Sequence, residues 1–319
     1  MLHKRTLFVW ILQVLVGTVL AAKVVQSSDG VKIWANAVGS SQNQALVLVH
    51  GIGGSASGWG DIIQDQRLLS KFYVVIYDLR GHGRSDKPTT ADGYTSKLFA
   101  NDFAAVSKAY NLKSPVVLGW SYGGTVFTDI FSYLPSGSVS ALVGVAALPF
   151  TNIPNINTPN ALTFVPGLFV ADSVQTNIKS RIAVVDNTYN DPSTVPYETK
   201  RMALGAAVIQ PPLVSLLLLT RPQDPSALFA AGRKGLPLLM IYGTNDKILQ
   251  NEVILNVTAP NFSKIQIKKI TGASHAVFHE YKDEFFVTLL DFTSKSLPAS
   301  STTKSSCLLG LTLLCISIS

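Results

Sequence analysis

The sequence predicts an α/β fold in which a mostly parallel sheet carries helices on both faces. Three observations predict it. Short apolar runs alternate with longer helical stretches from residue 31 onward. One of those runs leads directly into Gly119-Trp120-Ser121-Tyr122-Gly123 and then into a helical stretch. The alternation stops at residue 149 and resumes at 238.

Residues 31–38 alternate as a strand does, and the apolar runs 45–49, 72–77, 115–118, 139–146, 238–242 and 265–270 read as buried strands. Residues 96–110, 123–133, 251–258 and 277–294 read as helices. Strands alternating with helices favour parallel pairing, because each crossover lays a helix on one face of the sheet. Residues 149–166 are rich in Pro and Asn and read as irregular chain; 172–187 and 199–219 are helical in pattern, around a turn-rich 190–196. The stretch 149–233 is therefore expected to be a helical insertion packed over the sheet, since it far exceeds an ordinary connection. The core is expected in two parts, 23–148 and 234–293.

The ends read differently. Residues 1–22 have a basic start at Lys4-Arg5, an apolar middle and an Ala21-Ala22 exit, the pattern of a secretory signal peptide. The apolar run is short for an uncleaved membrane span. Residues 294–319 form a small, polar spacer followed by an apolar tail from Cys307 to Ile316. That is the layout of a glycolipid-anchor signal, with attachment at Ser294 or near Ala299 to Ser301; a weakly apolar terminus is the alternative. A secreted or cell-surface protein is expected. The sequons Asn256-Val257-Thr258 and Asn261-Phe262-Ser263 are compatible with that route and would mark surface.

The chain has 319 residues and 47% hydrophobic content, enough for one large core. Its two cysteines, Cys307 and Cys315, both lie in the tail, so a small disulfide-stapled domain is excluded. The net charge of +7 falls to +4 without Lys4, Arg5 and Lys304, and no basic run is interleaved with aromatics. Nucleic acid is not an expected partner. Nothing in the sequence speaks to oligomeric state.

The chemistry centres on Ser121. A serine held on a tight strand-to-helix turn needs glycine two residues away on either side, and Gly119 and Gly123 supply them. The following helix N-terminus favours developing negative charge. A hydroxyl needs a base, and His275, in the small-residue loop after the last apolar run, is favoured over His279 on the next helix. The base needs an acid to fix its tautomer. Asp246 follows the run 238–242 through Gly243-Thr244-Asn245, and gives the order nucleophile, acid, histidine. Asp224 and Glu280 are rivals without a strand-end setting. The glycine-rich turn His50-Gly51-Ile52-Gly53-Gly54 can present backbone N–H groups, so the amides of Ile52 and Tyr122 are the expected oxyanion donors.

Other readings of these residues are weaker. Gly51-Ile52-Gly53-Gly54-Ser55-Ala56 fits a loose dinucleotide fingerprint, but the serine set leaves it little to explain. His50 reads as a structural residue behind the turn. The loop Asp78-Leu79-Arg80-Gly81-His82-Gly83-Arg84-Ser85-Asp86 reads as a rigid brace, and a metal site from His82, Asp78 and Asp86 is not needed. No cofactor and no metal are expected.

These motifs, with Gly243-Thr244-Asn245-Asp246 and Gly272-Ala273-Ser274-His275, make the chain resemble the alpha/beta-hydrolase fold family over about residues 28–292. The resemblance is to its cap-bearing serine esterase-like and peroxidase-like members. It implies a mostly parallel eight-stranded sheet with a helical cap inserted after the sixth strand. Epoxide hydrolases and haloalkane dehalogenases of this fold carry Asp where Ser121 stands, and proline-releasing peptidases have a different elbow.

The expected function is hydrolysis of a small to medium apolar carboxylic ester or lactone through an acyl-enzyme. Phe164, Leu168, Phe169 and the run 213–219 fit an apolar pocket wall, the alternative being that the leucines only hold the insertion to the body, and no convergent charges suggest an anionic substrate. A thioester fits an exported setting least. Two alternatives are a receptor-like ligand-binding protein that turns over slowly or not at all, and a cofactor-free peroxidase or perhydrolase using the same residues.

Overall fold

The structure, a computed structural model, describes residues 20–297. An eight-stranded sheet forms its middle layer, in the order β1-β2-β4-β3-β5-β6-β7-β8. The strands are β1 (Leu20–Gln26), β2 (Lys32–Val38), β3 (Gln44–Val49), β4 (Phe72–Tyr77), β5 (Val116–Trp120), β6 (Ala141–Val145), β7 (Leu238–Gly243) and β8 (Ile265–Ile270). Only β2 runs against its neighbours; β4, β3, β5, β6, β7 and β8 are parallel. β3 and β4 are buried along almost their whole length, and alternate residues serve opposite faces.

One face carries α2 (Ser96–Ala109), α3 (Thr125–Tyr133), α7 (Ser226–Arg233) and α8 (Asn251–Thr258). They pack Phe103, Phe127, Leu228 and Ile254 over Val47, Val75 and Met240. The other carries α1 (Gln66–Leu69), α9 (Val277–Glu280) and α10 (Lys282–Ser296), with Leu68, Phe278, Phe285 and Leu289 over Leu46, Val74 and Ile241. Between β6 and β7 the chain leaves the sheet and forms α4 (Val174–Asn187), α5 (Tyr197–Val208) and α6 (Pro212–Thr220) before α7.

Three elements depart from the sequence reading. β1 was not expected: its first three residues read as the end of a leader, and Lys23–Gln26, in the expected core, carry no apolar run of their own. It pairs with β2 from Lys23↔Ala35 to Gln26↔Lys32, with a register shift between Leu20 and Lys23. The helix expected over 199–219 is two helices bent by 84°. Pro211 and Pro212 explain the corner: neither has an N–H to donate, and a residue before proline is pushed out of the helical region. The helix expected over 277–294 is interrupted at Tyr281, whose backbone (φ −129°, ψ 54°) is not helical. Residues 1–19 and the spacer and tail from residue 298 lie outside the described residues, so most of the expected leader and anchor signal does too. Of the two sequon asparagines, Asn256 is exposed, while Asn261 accepts from Arg233 and donates to the Val257 carbonyl.

Candidate active site

The chain turns sharply after β5. Ser121 has φ +54°, a left-handed value that a non-glycine residue adopts only when its surroundings enforce it. A Cβ on Gly123 would stand 2.4 Å from the Val49 carbonyl oxygen, and one on Gly119 2.6 Å from the Gly124 nitrogen. The two glycines thus allow β5, the Ser121–Gly124 turn and the end of β3 to close on one another. Gly51 approaches from the other side, where a Cβ would lie 3.0 Å from Ser121 Cβ. The Leu148 N–H donates to the Ser121 carbonyl at 3.0 Å and ties the turn to the end of β6.

His275 and Asp246 meet across two neighbouring strand ends. His275 Nδ1 and Asp246 Oδ2 are 2.9 Å apart, with both side chains 3% exposed. An ionised carboxylate only accepts, so Nδ1 carries the proton and Nε2 keeps its lone pair. The other Asp246 oxygen accepts the N–H groups of Ile248 (2.9 Å) and Leu249 (3.0 Å), and Asn251 Nδ2 donates to Oδ2 at 2.8 Å. Burial pushes the Asp246 pKa up. The His275 ring beside it and these N–H donors more than offset it, leaving the pKa below the ordinary value. The stability this contributes is present above the ordinary carboxylate range and is lost as pH falls through the depressed native value. Gly243 is required here as well, because a Cβ would sit 2.1 Å from the Ala273 carbonyl oxygen in the histidine loop.

Ser121, His275, Ile52 and Tyr122 all line one cavity of about 630 Å³. No hydrogen bond joins Ser121 to His275 among the described residues. The Ile52 N–H, in a loop among the described residues, makes no backbone hydrogen bond, and Tyr122 is the second residue of the Ser121–Gly124 turn, where the start of a helix leaves N–H groups without a partner inside it. The two amides flank the serine from the ends of β3 and β5, where donors for an oxyanion belong. The rival residues are engaged elsewhere: Asp224 accepts from Ser226, Glu280 accepts from the Asn190 and Ser274 N–H groups, and His279 packs against Phe278 and Tyr189.

The bracing loops are as the sequence suggested. The Leu79 N–H donates to His50 Nε2 (3.1 Å), so Nδ1–H donates to the Gly51 carbonyl (2.8 Å) and fixes the oxyanion turn. Burial lowers the His50 pKa and keeps the ring neutral. Asp78 accepts the N–H groups of Ala56 (2.6 Å) and Arg84 (2.8 Å), joining the turns after β3 and β4. Among the described residues, no three His, Cys, Asp or Glu side chains are grouped to hold a metal ion.

The cavity wall differs from expectation. Leu168, Phe169 and Leu219 line it, but Phe164 does not. Of the apolar run 213–219, Val214 and Leu218 are buried in the large core cluster, and Leu213 and Leu216 are exposed. Ile153, Ile156, Leu162, Val165 and Ile248 complete most of the apolar lining.

Two supporting residues escaped the sequence reading. The Trp120 indole N–H donates to the His275 carbonyl at 3.0 Å, and its ring packs 5.7 Å from the imidazole. Its place inside the Gly-x-Ser-x-Gly motif was the available signal. Arg221 donates to Tyr122 Oη at 2.7 Å and is paired with Asp129 on α3. No local pattern pointed to it.

The sequence model for the alpha/beta hydrolase fold matches residues 44–281. The chain belongs to the alpha/beta hydrolase fold family. Similar proteins include the non-heme chloroperoxidase of Streptomyces lividans, 34% identical over 139 residues, which is 43% of this chain and 49% of that protein. Human protein ABHD8 is 38% identical over 97 residues, 30% of this chain and 22% of its own length. The matched segments therefore span less than half the length of either relative. Among solved structures, the esterase RhEst1 from Rhodococcus sp. ECU1013 superposes with a TM-score of 0.77 at 26% identity, covering 87% of this chain and all of that one (100%). The bromoperoxidase of Bacillus anthracis superposes with a TM-score of 0.72 at 19% identity, over 86% of this chain and 100% of its own. That second likeness shows the fold.

Proposed function

We propose that this hydrolase-fold protein is a serine hydrolase that cleaves a small to medium apolar carboxylic ester or lactone. The observation that carries the reading is the buried His275–Asp246 hydrogen bond opening, with Ser121, onto one mostly apolar cavity.

In the proposed cycle, Ser121 Oγ bonds to the substrate carbonyl carbon while its proton passes to His275 Nε2. The carbonyl π pair moves onto oxygen, which the Ile52 and Tyr122 amides hold. Collapse breaks the bond to the leaving oxygen, which takes the proton from Nε2. Water then repeats the sequence and releases the acid. Asp246 keeps the imidazole in the required tautomer and stabilises its charged form. Asp246→Asn is expected to lower kcat by about 10³- to 10⁴-fold with a nearly normal KM, checked by steady-state ester kinetics. A loss confined to KM would remove Asp246 from this role.

The direct test is a fluorophosphonate label on wild type and Ser121→Ala, followed by an ester panel. Labelling at Ser121 with multiple turnovers supports a hydrolase. Stoichiometric labelling without turnover supports a receptor-like binding protein instead.

The similarity to a protein named as a chloroperoxidase favours one second reading. Hydrogen peroxide can replace water at the acyl-enzyme, giving a peracid and free Ser121. Peracid formed in proportion to added peroxide, and lost in Ser121→Ala, is the expected result; ester hydrolysis unaffected by peroxide would remove this reading.

A further inference from the structure

Three arginines among the described residues are almost wholly buried: Arg80, Arg221 and Arg181. The first two follow the usual rule for a buried cation. Arg80 is paired with Asp102 and Asp29, and Arg221 with Asp129. Arg181, on α4, has no carboxylate oxygen within 4 Å among the described residues.

Its partners are neutral. Nε donates to Asn177 Oδ1 at 2.6 Å, one terminal nitrogen to the Gln210 carbonyl at 2.7 Å and the other to the Ala207 carbonyl. These carbonyls lie at the end of α5, whose dipole supplies only about half a negative charge. A guanidinium has five N–H groups, so two remain without a partner among the described residues. Burial alone pushes the Arg181 pKa down, with no acidic neighbour opposing it.

Arg181 also lines a second cavity, of about 110 Å³. This chamber shares Ile52, Trp120, Leu168, Val184 and Thr188 with the cavity of Ser121, so the two adjoin. Its one carboxylate, Asp61, is exposed.

We propose that the Arg181 chamber is a carboxylate-binding subsite, and that the ester attacked by Ser121 carries a second, free carboxylate held by this guanidinium. The inference rests on the serine-hydrolase reading and changes its substrate from a wholly apolar ester to one with an apolar body and a charged end. It revises the expectation that no charge in the chain invites an anionic substrate. A single buried cation with two open donors suffices where the chamber is the size of one small polar group.

The test compares two esters of equal chain length, mono-4-nitrophenyl adipate and 4-nitrophenyl hexanoate. Wild type is expected to favour the half-ester in kcat/KM by about tenfold or more, chiefly through KM. Arg181→Gln should bring that ratio close to one, and Arg181→Lys should keep most of it. Free glutarate should protect Ser121 from fluorophosphonate in wild type and not in Arg181→Gln. A wild-type ratio of one or below overturns the proposal. So does an Arg181→Gln variant that slows both esters in equal proportion, since that is the signature of a residue that only caps α5. If Ser121 is not labelled at all, it is the hydrolase reading that fails. Calorimetry with adipate then still decides on the chamber: binding lost in Arg181→Gln supports it, and no binding by wild type overturns it.

Discussion

Ser121→Ala is expected to lower kcat on an activated ester by about a millionfold, abolishing fluorophosphonate labelling, while the melting temperature stays close to that of wild type. The argument has two parts. The hydroxyl is the only group on the cavity wall that joins a strained backbone, the Ile52 and Tyr122 amides and a tautomer-fixed imidazole, so removing it leaves no nucleophile in reach. The same hydroxyl makes no hydrogen bond among the described residues, so its loss strands no partner. Stability is governed instead by the φ of +54° at this position, which alanine keeps. Left-handed geometry at a residue with a Cβ costs about 1–3 kcal/mol. Ser121→Gly should therefore melt higher than Ser121→Ala, with both variants inactive. Undiminished turnover in Ser121→Ala would sink the mechanism, and equal melting of the two variants would remove the strain argument.

The edge strand β8 (Ile265–Ile270), of which only Ile270 is buried, and α8 (Asn251–Thr258) have the boundaries the sequence suggested. So does β4 (Phe72–Tyr77), where every residue is buried. A central strand packs against helices above and below, so its apolar residues run on without a break. β1 is an edge strand with Val24 65% exposed, and its pattern merges with the apolar run before it. The site was legible for a related reason. Ser121, Asp246 and His275 each stand in the loop after a recognisable strand, and a parallel sheet gathers such loops at one edge. The residues that escaped are held by distant partners. Arg221 and Asp129 are 92 positions apart, and Arg181 and the Gln210 carbonyl 29 apart. No periodicity marks such pairs, because an arginine in a helical insertion reads as a solvated one until the body of the protein closes over it.

Removing the Asp129 carboxylate should be the most destabilising side-chain truncation outside the apolar core. Asp129 accepts from both terminal nitrogens of Arg221, at 2.9 and 2.8 Å, and from Gln223 Nε2 at 2.6 Å. The remaining Arg221 donors go to Tyr122 Oη, Thr125 Oγ1 and Ser96 Oγ, and the guanidinium lies 4.1 Å from the centre of the Phe99 ring. Burial opposes the charge on Arg221, but Asp129 and Tyr122 more than offset it and hold the pKa above the ordinary arginine value. Asp129→Ala leaves that charge buried and unpaired, a change that costs about 3–5 kcal/mol. For a protein of this size the melting temperature should fall by about 10 °C. The chemistry should suffer too, because Arg221 connects the helical insertion to Tyr122, whose amide is the proposed oxyanion donor. A displacement of about 1 Å there is enough for a loss of up to about 10²-fold in kcat/KM, measured well below the melting range. The double variant Asp129→Leu, Arg221→Met removes both charges and should regain most of the melting temperature but not the activity, since Tyr122 Oη keeps its bond to the Leu218 carbonyl but no longer accepts from Arg221. Recovery of activity along with stability would show that the pair holds the fold together without aiming the Tyr122 amide. A melting temperature within about 2 °C of wild type in Asp129→Ala would show that water reaches Arg221 after all.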